Sequence, residues 1–250
     1  MENIKQLSVG QIVAKDYRTA AVFTKFGIDF CCNGNISVRQ ACEKKRVDPE
    51  EVERNIREII SASPEGKKDS GDWASWPLDL LADYIEKKHH RYVTEQIPVL
   101  ESYLDKLVKV HGKTNPELSE IKKWFHESAE DLTMHMKKEE LILFPIIRKM
   151  VNAGPAGREP VSSPFGSVRN PIQKMMQEHE IEGERFQMIR SLSGNYTVPA
   201  GGCTTYRLTY DLLKAFEEDL HLHIHLENNI LFPKAVELEK ETDPVISKTF

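Results

Sequence analysis

The chain of 250 residues contains no apolar run approaching the ~18 residues that a membrane-spanning helix needs. Its opening, MENIKQLSVGQ, lacks the basic-then-apolar order of a secretory leader, so a cytoplasmic location is expected. Cysteine is scarce, at four residues, which excludes a disulfide scaffold. Two of the four, Cys31 and Cys32, are neighbours and could staple nothing distant, so the pair reads as reactive, metal-directed or idle. Positive charge is not in excess either. The net charge is −5, with both signs mixed along the helical segments, which offers nucleic acid no basic face. Strand-type alternation of useful length is also missing. What remains is helical periodicity, in a chain long enough to bury a sizeable core.

Residues 1–62 read as a small helical unit. Ser8 stands before VGQIVAKDYRTAAVFTKF, expected to be one helix stopping at Gly27. Ser37 opens another helix, and Asp48-Pro49 is a cap followed by proline at the first helical position. The stretch SASPEGKKDSGDW is polar and rich in Ser, Gly and Lys, which places a linker at 63–76. Helical patterns then run over about 77–110, 116–150, 167–193 and 203–239, with short or moderate connections. Residues 77–240 are therefore expected to form an antiparallel four-helix bundle, in an all-α protein with a frayed tail after about 240.

Two segments of this bundle read almost alike: HMKKEELILFP from His135 to Pro145, and HIHLENNILFP from His223 to Pro233. Positions i and i+4 lie about 40° apart around a helix, so His135 and Glu139 share a face, as do His223 and Glu227. Each pair sits on an apolar stripe, with Ser128, Leu132, Ile142 and Ile146 in one case and Phe216, Leu220 and Ile230 in the other. An ionised carboxylate buried there is costly unless paired or bound to metal. A lone surface His/Glu pair would be worth only a few tenths of a kcal/mol. Two copies, both on apolar stripes, favour metal.

Each repeat is preceded, at nearly the same offset, by a further histidine: His90 before His135, and His179 before His223. Two helical hairpins related by a pseudo-twofold axis would then bring four imidazoles and two carboxylates together. His89 competes with His90, because its stripe (Ile85, Val93, Leu100) is the more apolar, whereas hairpin length favours His90. His221 and His225 lie off the inward face of His223; as an i,i+4 pair they could hold zinc at the surface. His111 and His126 read as solvated, with His126 also a conceivable outer partner. Imidazole and carboxylate donors without thiolate suit iron, manganese or zinc. Two ions can share the glutamates as bridges and take two histidines each.

The bundle resembles hemerythrin-like di-iron domains, and the whole chain resembles the repair of iron centres (RIC) family. The blocks that carry this are DFCCNG at 29–34, HHRYVTEQIP, HMKKEELILFP, QEHE and HIHLENNILFP. The resemblance implies His90, which stands eight residues before Pro98, over His89. It implies His90, His135, Glu139, His179, His223 and Glu227 as ligands of two iron ions joined by an oxo or hydroxo bridge. Glu178 and Asp131 are its acidic positions near the metal. It further implies repair of iron–sulfur clusters damaged by nitric oxide or oxidative stress, with damaged iron–sulfur proteins as clients and iron donation as one route. Nitric oxide reduction, or sensing of NO or O2, would use the same centre, and a homodimer is an allowed assembly. The chain departs from the family in CCNG, where a second glycine is more usual, and at Asp131, where a glutamate can occur. Cys31 and Cys32 are candidate redox or repair thiols, expected at an exposed helix junction that favours thiolate.

Overall fold

The computed structural model describes residues 4–62, 72–153 and 166–242. Residues 63–71 of the expected linker and the tail beyond 242 lie outside the described residues. Among the described residues there is no β-strand, only an isolated bridge between Ser8 and Ser37.

Four short helices make the N-terminal unit: α1 (Val9–Lys15), α2 (Ala20–Lys25), α3 (Val38–Lys45) and α4 (Pro49–Ser61). The expected single helix before Gly27 is in fact two. Asp16, at φ −151, ends α1, and its carboxylate accepts the Arg18 backbone N–H at 3.1 Å and the Arg18 guanidinium at 2.6 Å. That local bonding gives the chain an alternative to helix, and a 3-10 turn follows at Tyr17–Thr19. Ser37 and Gln40 form a reciprocal capping box for α3, and Asp48 caps α4 with Pro49 in its first turn.

Four long helices follow. We label them α5 (residues 78–111), α6 (117–153), α7 (Arg169–Leu192) and α8 (204–242). Successive helices pack as an antiparallel bundle, α6 against both α5 and α7, and α8 against α5. Three of the four are interrupted by a π-helical segment: Ile85–His90 in α5, Glu139–Leu143 in α6 and Glu227–Leu231 in α8. A π-turn inserts one residue into the helical register and so rotates the face that follows. The consequence is visible in α6: Ile142, expected on the buried stripe, is 37% exposed, and Leu143 is buried in its place.

The core forms two apolar clusters along the bundle. In one, Phe125 and Phe186 each pack on Phe216, with ring centroids 5.4 and 5.6 Å apart. The other gathers Leu143, Phe144, Ile147, Leu231 and Phe232. The histidine–glutamate segments of α6 and α8 fall between the two. The N-terminal unit shares the first cluster, through Val9, Phe23 and Val38. Its backbone approaches α8 closely at two glycines. A Cβ on Gly10 would stand 2.0 Å from Asn229 Oδ1, and one on Gly34 would stand 2.6 Å from it. A side chain at either position would have to displace the Asn229 amide.

Candidate metal centre

His90, His135, Glu139, His179, His223 and Glu227 converge at the centre of the bundle, each 3% exposed or less. They form two groups that share both carboxylates: His90 and His223 with Glu139 and Glu227, and His135 and His179 with the same pair. Glu139 directs Oε2 toward His90 Nε2 at 3.4 Å and Oε1 toward His135 Nε2 at 3.3 Å. Glu227 does the same, with Oε1 3.3 Å from His223 Nε2 and Oε2 3.2 Å from His179 Nε2. Each carboxylate therefore offers one oxygen to each position.

The histidines are oriented from behind. His90 Nδ1 donates to Glu140 at 2.8 Å, His135 Nδ1 to Glu178 at 2.9 Å, and His179 Nδ1 to Asn228 Oδ1 at 2.9 Å. Since these acceptors take the Nδ1 proton, Nε2 is left as a lone pair facing inward. At one position two such lone pairs, on His135 and His179, face each other at 3.0 Å. They repel unless a proton or a metal cation stands between them. All four oxygens of Glu139 and Glu227 are buried without a hydrogen-bond partner. A buried ionised carboxylate is costly unless paired or bound to metal. The donor set fits two metal ions.

The electrostatics agree. Burial alone would hold the His135 imidazole down, but the charge of Glu139, with Glu178 and Glu227, raises it to about 10. Burial and the neighbouring Glu227 push Glu139 up, yet His135 and His90 outweigh them and hold it below the usual carboxylate range. Burial likewise pushes Glu227 up, and His223 and His179 bring it well below. The site thus keeps its carboxylates ionised and recruits a proton when no stronger cation is present.

The shared ending of the two repeats has a structural role. Phe144 stacks on His90 (5.6 Å, 19°) and Phe232 stacks on His179 (6.0 Å, 2°). Each phenylalanine walls the lone histidine contributed by a different helix.

Residues 81–235 match the family described as the hemerythrin HHE cation binding domain, and residues 5–60 match a domain of unknown function, DUF542. The chain is 32% identical over 232 residues to the iron-sulfur cluster repair protein YtfE of Musicola paradisiaca (strain Ech703), covering 93% of this chain and 97% of that protein. It is 34% identical over 236 residues to the protein of the same name from Yersinia pestis (strain Pestoides F), covering 92% of this chain and 96% of that one. The chain belongs to the hemerythrin-like iron–sulfur cluster repair family.

Several side chains stand apart from these expectations. Of the two acidic residues expected near a metal, Glu178 contacts His135, and Lys138 holds it at 2.5 Å; these contacts lower its carboxyl to about 2, His135 contributing most. Asp131 faces elsewhere: it is exposed and pairs with Arg185 at 2.6 Å. His89 is fully buried beside His90, but its Nδ1 meets Asp219 at 3.0 Å and its ring stacks on His223 at 5.7 Å. His225 is no surface ligand. It is fully buried against Tyr17 and Phe30, and its neighbour His221 packs edge-on to Phe30. His126 is exposed and meets Glu101 at 2.8 Å, outside the site.

Cys31 and Cys32 are not exposed as the turn-like CCNG suggests. Both are buried, because the loop that carries them docks on α7 where Gly183 leaves room. The Cys32 thiol donates to the His179 carbonyl at 3.2 Å. Contact with Cys32, burial and the Asp29 carboxylate together raise the Cys31 thiol well above its ordinary value, so it is held as thiol, not thiolate. Sequence reasoning also passed over Glu140 and Asn228. Each directly follows a glutamate of the repeat, and that shared polar position inside a buried segment was the available signal.

Proposed function

We propose that this protein restores iron–sulfur clusters damaged by nitric oxide or oxidants in the cytoplasm, using two iron ions held by His90, His135, Glu139, His179, His223 and Glu227. The observation that carries this reading is the pair of buried carboxylates, each offering one unpartnered oxygen to each of two imidazole pairs. The family's curated members, named for cluster repair and matched over nearly their whole length, support the same reading. Iron bound there would supply an exchangeable ferrous ion and one-electron chemistry.

The chain's own residues set how that iron is kept. Glu140, Glu178 and Asn228 hold three imidazoles with Nε2 inward. Phe144 and Phe232 limit water on the lone histidines. Glu139 and Glu227 tie the two positions together, so loss of either carboxylate weakens both. Cys32, whose thiol meets the His179 carbonyl, and its neighbour Cys31 are the thiols that act in repair.

The test is cluster rebuilding by the iron-loaded chain, measured on a nitrosylated or peroxide-damaged cluster enzyme beside iron loss to a chelator. Glu139→Gln should release iron faster, and repair should follow releasable iron. The paired positions also suit nitric oxide reduction, in which two NO molecules must meet. If Glu139→Gln abolishes NO consumption while faster release leaves rebuilding unchanged, the reductase reading replaces donation.

A further inference from the structure

A second group of metal-binding side chains lies outside the bundle centre, where Asp29, Cys31 and Cys32 bring their donor atoms together. Both cysteines are free thiols. Cys31 Sγ stands 3.7 Å from Cys32 Sγ and 3.3 Å from Asp29 Oδ1. A tetrahedral ion with bonds of about 2.3 Å to sulfur and 2.0 Å to oxygen separates two thiolates by about 3.8 Å, and a thiolate from a carboxylate oxygen by about 3.5 Å. The two observed separations lie within about 0.2 Å of these values, and the donor atoms of all three residues lie within 4.8 Å of one another. A disulfide, by contrast, would need the sulfurs at about 2.05 Å.

The donors are also fixed in place. Asp29 Oδ1 accepts the backbone N–H groups of Cys31 at 3.0 Å and Cys32 at 2.9 Å, and Oδ2 accepts from Asn33 at 2.8 Å. The three residues line a half-open cavity of about 240 Å³ between the N-terminal unit and α7, with Lys45 and Arg190 also on its wall.

We propose that Asp29, Cys31 and Cys32 form a separate mononuclear site for a divalent cation of the ferrous or zinc type, whose fourth ligand enters from the cavity. Binding is a ligand exchange with no redox step. The ion gains two thiolates and a carboxylate, two thiol protons leave to solvent, and the net charge of the group is unchanged at one negative. Cys31 now donates its S–H to Asp29, and this is one of the protons displaced.

Position suggests the use of such a site. Cys32 touches the His179 carbonyl, and the Cys31 carbonyl accepts from Asn228, whose Oδ1 orients the same histidine. The cavity site therefore adjoins a residue of the bundle centre, and its open fourth position suits a client thiolate or sulfide. We assign it as the transit position for a ferrous ion leaving the bundle, a role that rests on the repair reading above; the binding itself does not.

Cobalt(II) tests the binding, because the bundle donors contain no sulfur. The full-length, metal-free chain is titrated in a Cys203→Ser background, which removes the exposed thiol beside His111. With the two bundle positions filled first, a further equivalent per chain should give a near-ultraviolet thiolate-to-cobalt band with the visible bands of tetrahedral cobalt. Cys31→Ser and Cys32→Ser should each remove most of the thiolate intensity, and Asp29→Asn should weaken binding at least tenfold. Circular dichroism checks that each variant is folded. No thiolate band, or a band that survives the double serine variant, overturns the site. In a second arm, the iron-loaded double serine variant should keep its bundle iron but pass it to a damaged cluster at least tenfold more slowly. A cobalt band with undiminished transfer overturns the transit role. A cobalt band with no repair by even the wild-type chain refutes the repair reading and leaves the site standing.

Discussion

Asn228 Oδ1 lies 2.9 Å from His179 Nδ1, while the same side chain's Nδ2 donates to the Cys31 carbonyl at 3.1 Å. One amide thus orients an imidazole of the bundle centre and anchors the cysteine segment of the N-terminal unit. Replacing it by leucine, similar in size, removes both bonds. Outer partners of metal-bound histidines typically govern about 10- to 100-fold in affinity. Asn228→Leu should lower metal affinity within that range, measured by chelator competition. It should also speed proteolysis of the N-terminal unit. An unchanged affinity would show that the amide is structural only.

The two candidate metal positions are not equally supported. At one, His135 and His179 both have acceptors behind them, in Glu178 and Asn228. At the other, His90 has Glu140, but the Nδ1 of His223 is buried without a partner, and His89 only stacks on the face of its ring. An imidazole without an acceptor is the weaker base and the weaker ligand. Iron release to a chelator should therefore be biphasic, the His90/His223 position emptying about tenfold faster. Glu178→Gln should bring the two phases together by weakening His135. A single phase in the wild type would contradict this asymmetry.

The repeat makes the convergence of the six side chains legible, because histidine and glutamate four apart must share a helical face, and the apolar neighbours say which way that face points. The π-turns are not legible, since no residue type marks them, and they are why Ile142 turns outward while Leu143 turns in. Hairpin length and the spacing to Pro98 favour His90 over His89; both are buried at the end of a π-segment, where His90 Nε2 faces His223 Nε2 at 3.2 Å and His89 Nδ1 meets Asp219. The burial of Cys31 and Cys32 also escapes the sequence. It depends on a docking surface built from Gly183 and Asn228, far along the chain.

His225 predicts an acid limit. Burial holds its imidazole down to about 3, whereas an unfolded histidine titrates near 6.5. Between those values the unfolded chain takes up a proton that the folded one refuses. The contribution is therefore complete above about pH 6.5 and is lost as pH falls, by up to about 1.4 kcal/mol per unit. The ring packs on Tyr17 and Phe30, so the N-terminal unit should loosen first. In the metal-free chain, the urea midpoint should drop between pH 7 and pH 5, and His225→Gln should flatten that drop. Equal slopes in the two proteins would remove His225 as the cause.

The central claim is that Glu139 and Glu227 hold two ions as one unit. Anaerobic titration of the metal-free chain with ferrous iron, followed by oxidation and Mössbauer spectroscopy, tests it most directly. The account predicts saturation at about two irons per chain, with ferric spins coupled through the shared ligands into a diamagnetic pair. Saturation at a single iron, or two irons with uncoupled magnetic spectra, would contradict it.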